Sequence, residues 1–144
     1  MFDHILIAVG EERMDVATIA EYAVAVAEKF DADVTLFRAY PKGEFDRRLA
    51  EFEYDAADPT DMAKRNSVVR EAAHIVRAAG LDLSIVGAVG DPATTVVEYV
   101  DSHSVDHVFI GGRKRSPTGK AIMGSTSQDI ILRLSVPCTV MQLG

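Results

Sequence analysis

His107-Val108-Phe109-Ile110, then Gly111-Gly112-Arg113-Lys114-Arg115-Ser116-Pro117-Thr118-Gly119-Lys120, then Gly124-Ser125-Thr126 reads as a strand, a basic glycine-rich loop and the opening of a helix. Glycine permits positive φ and close backbone approach, and a helix N-terminus presents unclaimed N–H groups. With Lys and Arg beside them, these are the parts of a phosphate cradle. No Asp or Glu lies between Gly111 and Gln128, although the chain as a whole carries −7. The loop's four cations leave −11 on the remainder (−7 less +4), so charge is segregated. The same composition would suit a surface loop whose glycines only turn the chain. Its place directly after a buried-type strand favours phosphate.

Outward from this loop, short apolar runs alternate with helical periods. Ile5 to Val9 is a continuous apolar run, as in a parallel strand covered on both faces. Asp15 to Phe30 carries Ile19, Ala23, Val26, Ala27 and Phe30 at helical spacing, and Val34 to Ala39 is a second strand. Pro41 to Pro59 lacks a period and reads as a long, mobile connection with helix around Arg47 to Phe52. Asp61 to Ala79 is one helical stretch with Gly80 at its C-terminal cap, followed by a strand from Leu81 to Val89. Pro92 opens a helix through Val96, Val97 and Val100. After the loop come a helix from about Ser125 to Leu134 and a last strand, Cys138 to Leu143.

Strand–helix alternation of this kind predicts an α/β fold: a five-stranded parallel open sheet with helices on both faces, in a single domain over residues 1–144. Ligands of such sheets bind beyond the carboxyl ends of the strands, where strand order reverses. The loops at Gly10–Glu12 and Gly111–Gly124 flank that point if the first and fourth strands are neighbours. Proline before the final strand suits an edge, and an unpaired edge invites a partner. Strand Pro137 to Leu143 is therefore expected to pair with its copy in a homodimer.

Composition narrows the function. The 144 residues, 48% apolar and 26% charged, are those of a folded globular chain. Net charge −7 disfavours nucleic acid and anionic membrane as partners. The lone Cys138 and the absence of a signal-peptide pattern in MFDHILIAVG predict a cytoplasmic protein. Cys/His metal spacing is lacking, and His4, His74, His103 and His107 are scattered. A Walker loop fails, because Gly112 is too far from Gly119-Lys120 and Ala121 stands where Ser or Thr should bind magnesium. Neither G-x-G-x-x-G after the first strand nor a G-x-S-x-G elbow is found, so no catalytic residues are assigned.

Gly111, two residues, Lys114, nine residues, then Gly124-Ser125 resembles the G-x2-G-x9-G-[ST] signature of the universal stress protein family. Ile5 to Val9, Gly90-Asp91-Pro92, Val105 to Gly111 and Val136 to Val140 fall where that family has matching segments. The resemblance implies a Rossmann-like, adenine nucleotide alpha hydrolase-like fold, often dimeric, and in a subset ATP or AMP binding with little turnover. It further implies that Gly111, Gly124, Ser125 and Thr126 surround the phosphates and that Val9 and Val34 lie against the adenine. Arg113 and Lys114 would add counter-charge, and Mg2+ would reach the site only through the phosphates. Two positions depart from the pattern: Lys114 replaces a glycine, and Gly10 replaces a common Asp, with Glu11 one place later. These departures favour a rival, a nucleotide-free dimeric interaction module. A slow ATPase is the third possibility.

Overall fold

Five parallel strands form one sheet in the order β3-β2-β1-β4-β5, with β1 His4–Val9, β2 Asp33–Tyr40, β3 Leu83–Val89, β4 His107–Gly112 and β5 Cys138–Gln142. Among the described residues six helices connect them: α1 Val16–Phe30, α2 Lys42–Phe52, α3 Pro59–Arg65, α4 Ser67–Ala78, α5 Pro92–Ser102 and α6 Ser125–Arg133. The structure is a computed structural model, and it describes residues 2–10, 15–52, 58–112 and 124–142.

The apolar run of β1 is continuous because both of its faces are covered. Ile5, Ile7 and Val9 pack against α1 and α4, together with Val34 and Leu36 of β2. Leu6 and Ala8 point to the other face, into a core with Ala93, Val96 and Val100 of α5 and Ile130 of α6. A third, smaller cluster joins Tyr40 and Phe45 to Met62 and Ala63 of α3. Asp15 caps α1, its carboxylate accepting from the Thr18 amide and hydroxyl at 3.2 and 2.6 Å. Those bonds, the hydroxyl's first, hold the Asp15 carboxyl below its usual range.

Three expectations need correction. After Pro41 the helix expected around Arg47 to Phe52 is present as α2, but it begins already at Lys42, where a mobile connection was expected; residues 53–57 lie outside the described ones. Its first turn escaped notice because only Phe45 and Leu49 pack inward among many charges. The stretch from Asp61 to Ala79 is two helices. Asn66 divides them: its extended backbone ends α3, while its side-chain oxygen accepts from the Val68 and Val69 amides at 2.9 and 3.1 Å to start α4. Gly80 then turns the chain at φ +76, close to where a terminal glycine was expected. On α1, Phe30 is exposed rather than part of the core stripe, its ring centre 4.8 Å from that of Phe2 with the two planes tilted by 34°.

The edge strand β5 is packed on both faces. Cys138 and Val140 join the α5–α6 core, whereas Met141 packs against the α1–α4 core. Burial pushes the Cys138 thiol up, as suits a packed apolar group. Leu143 lies outside the described residues.

Candidate site at the carboxyl end of the sheet

β1 and β4 are neighbours, paired in register from Ile5↔His107 to Ala8↔Ile110. α1 leaves β1 over one face of the sheet and α6 follows β4 on the other, so the chain reverses its winding between these two strands. A crevice opens at such a point. Val9 and Gly10 form one lip, Val9 buried and Gly10 exposed. Gly111 and Gly112 end the other strand, and Gly124 with α6 lies beside them: the Ser127 hydroxyl donates to the Gly111 carbonyl at 3.0 Å.

The start of α6 differs from those of α1, α3, α4 and α5. Asp15, Asp58, Asn66 and Asp91 each place a side-chain oxygen on the first-turn amides of their helices. α6 begins at Gly124 with no side-chain cap. Exposed Ser125 and Thr126 continue its first turn, so its amides remain receptive to an anion, with the helix dipole adding to the attraction. Gly111, Gly124, Ser125 and Thr126 are thus brought together, and Val9 and Gly10 belong to the same end of the sheet. Arg113, Lys114, Arg115 and Lys120, like Glu11, lie outside the described residues.

Val34 is misplaced in the sequence reading. It pairs with Ile5 at the amino end of the sheet, fully covered by the core. Four residues of strand, roughly 13 Å, separate that level from Val9. The residue of β2 level with Val9 is Arg38. Its side chain is 1% exposed; Nη2 donates to Glu44 Oε2 at 2.8 Å, and the guanidinium lies 4.3 Å from the Tyr40 ring centre. Nη1 contacts the Ala39 carbonyl, and Nε is buried without a partner. Arg48 Nε donates to the same Glu44 oxygen at 2.7 Å. Among the described residues, two cations meet this one carboxylate, Arg38 and Glu44 buried and Arg48 half-buried, one strand away from the crevice. Tyr40 is pushed above its ordinary value by burial, with Arg38 and Arg48 pulling the other way. A charged residue inside an otherwise apolar strand, followed six positions later by Glu44, is the signal that could have found it.

The opposite end of the sheet holds His4 and His107. His4 Nε2 lies 2.7 Å from Thr35 Oγ1, and His107 Nε2 lies 2.7 Å from Thr139 Oγ1, tying β4 to edge strand β5. His107 Nδ1 is buried without a partner, and burial pushes the imidazole below its usual range. The unfolded chain therefore binds the extra proton first as pH falls. This stability is fully present above about pH 6.5 and is lost as pH drops through the lowered folded value. The thermal midpoint should fall on acidification from about pH 7 to about pH 5, and His107→Gln should flatten that slope in scanning calorimetry. An equal slope in the variant would assign the effect elsewhere.

Among the described residues, no group of three or more His, Cys, Asp or Glu could hold a metal ion. No helix there is long and apolar enough to cross a membrane.

Fold and crevice together define a doubly wound α/β domain with an anion-receptive helix start at its switch point. Residues 1–142 match the model of the universal stress protein family, and the chain belongs to that family. A search of curated proteins returns no match. Among solved structures, a universal stress protein from Archaeoglobus fulgidus is 25% identical, with TM-score 0.76 and 100% of both chains covered. The Archaeoglobus fulgidus universal stress protein in complex with dAMP is 19% identical, with TM-score 0.68 over 100% of both chains. A universal stress protein in complex with cAMP is 17% identical, with TM-score 0.68 over 99% of this chain and 98% of the other.

Proposed function

We propose that this chain is a small cytoplasmic regulator that binds an adenine nucleotide, ATP or AMP, at the carboxyl end of the sheet and turns it over little or not at all. One observation carries the reading: the uncapped N-terminus of α6 beside the β1–β4 crevice. Membership of the family and the two relatives with dAMP and cAMP support it. Phosphate would meet the amides of Gly124, Ser125 and Thr126, with Arg113 and Lys114 as counter-charge and Val9 and Gly10 toward the base. Mg2+ would be carried in by the phosphates.

The rival reading, a nucleotide-free interaction module, draws on Gly10 and Lys114. Lys114→Gly separates the two. If Lys114 grips phosphate, the variant should bind ATP about ten- to hundredfold more weakly, the worth of one charge-assisted hydrogen bond of about 1.5–3 kcal/mol. Tighter binding by the variant would mark Lys114 as an obstruction and put the rival ahead.

In our reading the protein is a homodimer joined antiparallel through β5. The strand is at the sheet's edge, and Leu132 on neighbouring α6 is, among the described residues, the most exposed of the large apolar side chains. An isologous contact of this kind places Val140 near the axis. Val140→Lys should shift dimer to monomer in light scattering, and a monomeric wild-type protein would end the idea.

A further inference from the structure

The edge of the sheet opposite β5 carries a second recognition feature, independent of the nucleotide reading. The Val34 amide donates to Asp82 and the Gly90 amide donates to Tyr40, so the even-numbered residues of β3 face β2. The odd-numbered ones face outward, as strand alternation requires. At Gly87 the outward groups are taken: its amide donates to Thr60 Oγ1 at 3.1 Å, and its carbonyl accepts from the same hydroxyl at 3.4 Å. At Leu83 and Ile85 the same alternation turns the amide and carbonyl toward the open edge.

Beside that edge runs a cleft of about 830 Å³ between β3 and α4, with Ile85 and buried Ala73 in its lining. Arg70, His74 and Arg77 line it, four and three positions apart on one face of α4, and Lys64 reaches it from the last turn of α3. Lys64, Arg70 and Arg77 are exposed and have no ion-pair partner among the described residues. Among the described residues of the lining Glu71 is the only acid, so Lys64, Arg70 and Arg77 leave it positive in a chain of net charge −7.

We propose that this edge docks an extended acidic segment of a partner protein as a sixth strand. The segment pairs with the outward groups of Leu83 and Ile85 and stops before Gly87, where Thr60 occupies the edge. Alternate side chains of an added strand fall on one face. Carboxylates on that face meet Lys64, Arg70 and Arg77 beside Ile85, and the aliphatic residues between them fall on the opposite face, that of Val86 and Ala88. A peptide fits better than nucleic acid: among its described residues the lining contains no Phe, Tyr or Trp on which bases could stack, and the chain's overall negative charge repels a long polyanion.

The test is fluorescence anisotropy on the full chain at low salt, with a labelled, end-blocked peptide of alternating Glu and Val. The peptide should bind, and binding should weaken with salt. The double variant Arg70→Glu, Arg77→Glu changes only exposed side chains, so it should fold as the parent does by circular dichroism while losing at least roughly tenfold in affinity. Methylating alternate peptide amides should cause a comparable loss, which a purely electrostatic contact would not. No binding by the wild-type chain, unchanged affinity in the double variant, indifference to amide methylation, or equal displacement by single-stranded RNA would each overturn the proposal.

Discussion

Gly124→Val should lower ATP affinity by on the order of a hundredfold or more, the loss expected when two charge-assisted hydrogen bonds of about 1.5–3 kcal/mol go unmade. A β-branched side chain at the start of α6 would keep a phosphate from the first-turn amides. The variant isolates that effect. Gly124 has φ −67 and ψ 152, an extended conformation that valine adopts without strain, and no side-chain cap is lost. Titration calorimetry on the folded variant measures it, and unchanged affinity would remove Gly124 from the site.

Gly87→Ala should be the most destabilising small substitution outside the crevice. Conformational freedom is not the reason; space is. A Cβ at Gly87 would stand 2.0 Å from the Pro59 carbonyl oxygen, 2.4 Å from its carbon and 2.9 Å from the Thr60 nitrogen. All three are backbone atoms, so α3 must move away. It would give up both Thr60 bonds to Gly87 and loosen Met62 and Ala63 over Tyr40. Overpacking and lost hydrogen bonds together cost about 2–4 kcal/mol, or roughly 10 °C in thermal midpoint for a domain of this size. A midpoint within about 2 °C of wild type would mean that α3 is not fixed at this edge.

Much of the fold is legible in the chain because its signals are local. Ile5 to Val9 declares a strand covered on both faces, and Ile19, Ala23 and Ala27 declare the buried stripe of α1. The glycine loop after His107–Ile110 marks the crevice once β1 and β4 prove to be neighbours. What failed depends on pairing or on single side chains. Strand period assigns Val34 to a face but says nothing of its level in the sheet. That level comes from its register with Ile5, which puts Arg38 rather than Val34 beside Val9. Asn66 divides a continuous helical period through one side-chain oxygen. α2 buries too few apolar residues for its period to stand out. Close approach at Gly87 depends on α3 packing against the sheet edge, a tertiary fact with no local mark.

The central claim, an adenine nucleotide held by its phosphates at the start of α6, is tested most directly by calorimetric titration of the wild-type chain with AMP and ATP at low salt with magnesium. The account predicts saturable binding that strengthens from AMP to ATP and weakens as salt rises, since exposed charge pairs are screened beyond about 10 Å at 0.1 M. Absence of binding by either nucleotide under these conditions would contradict it.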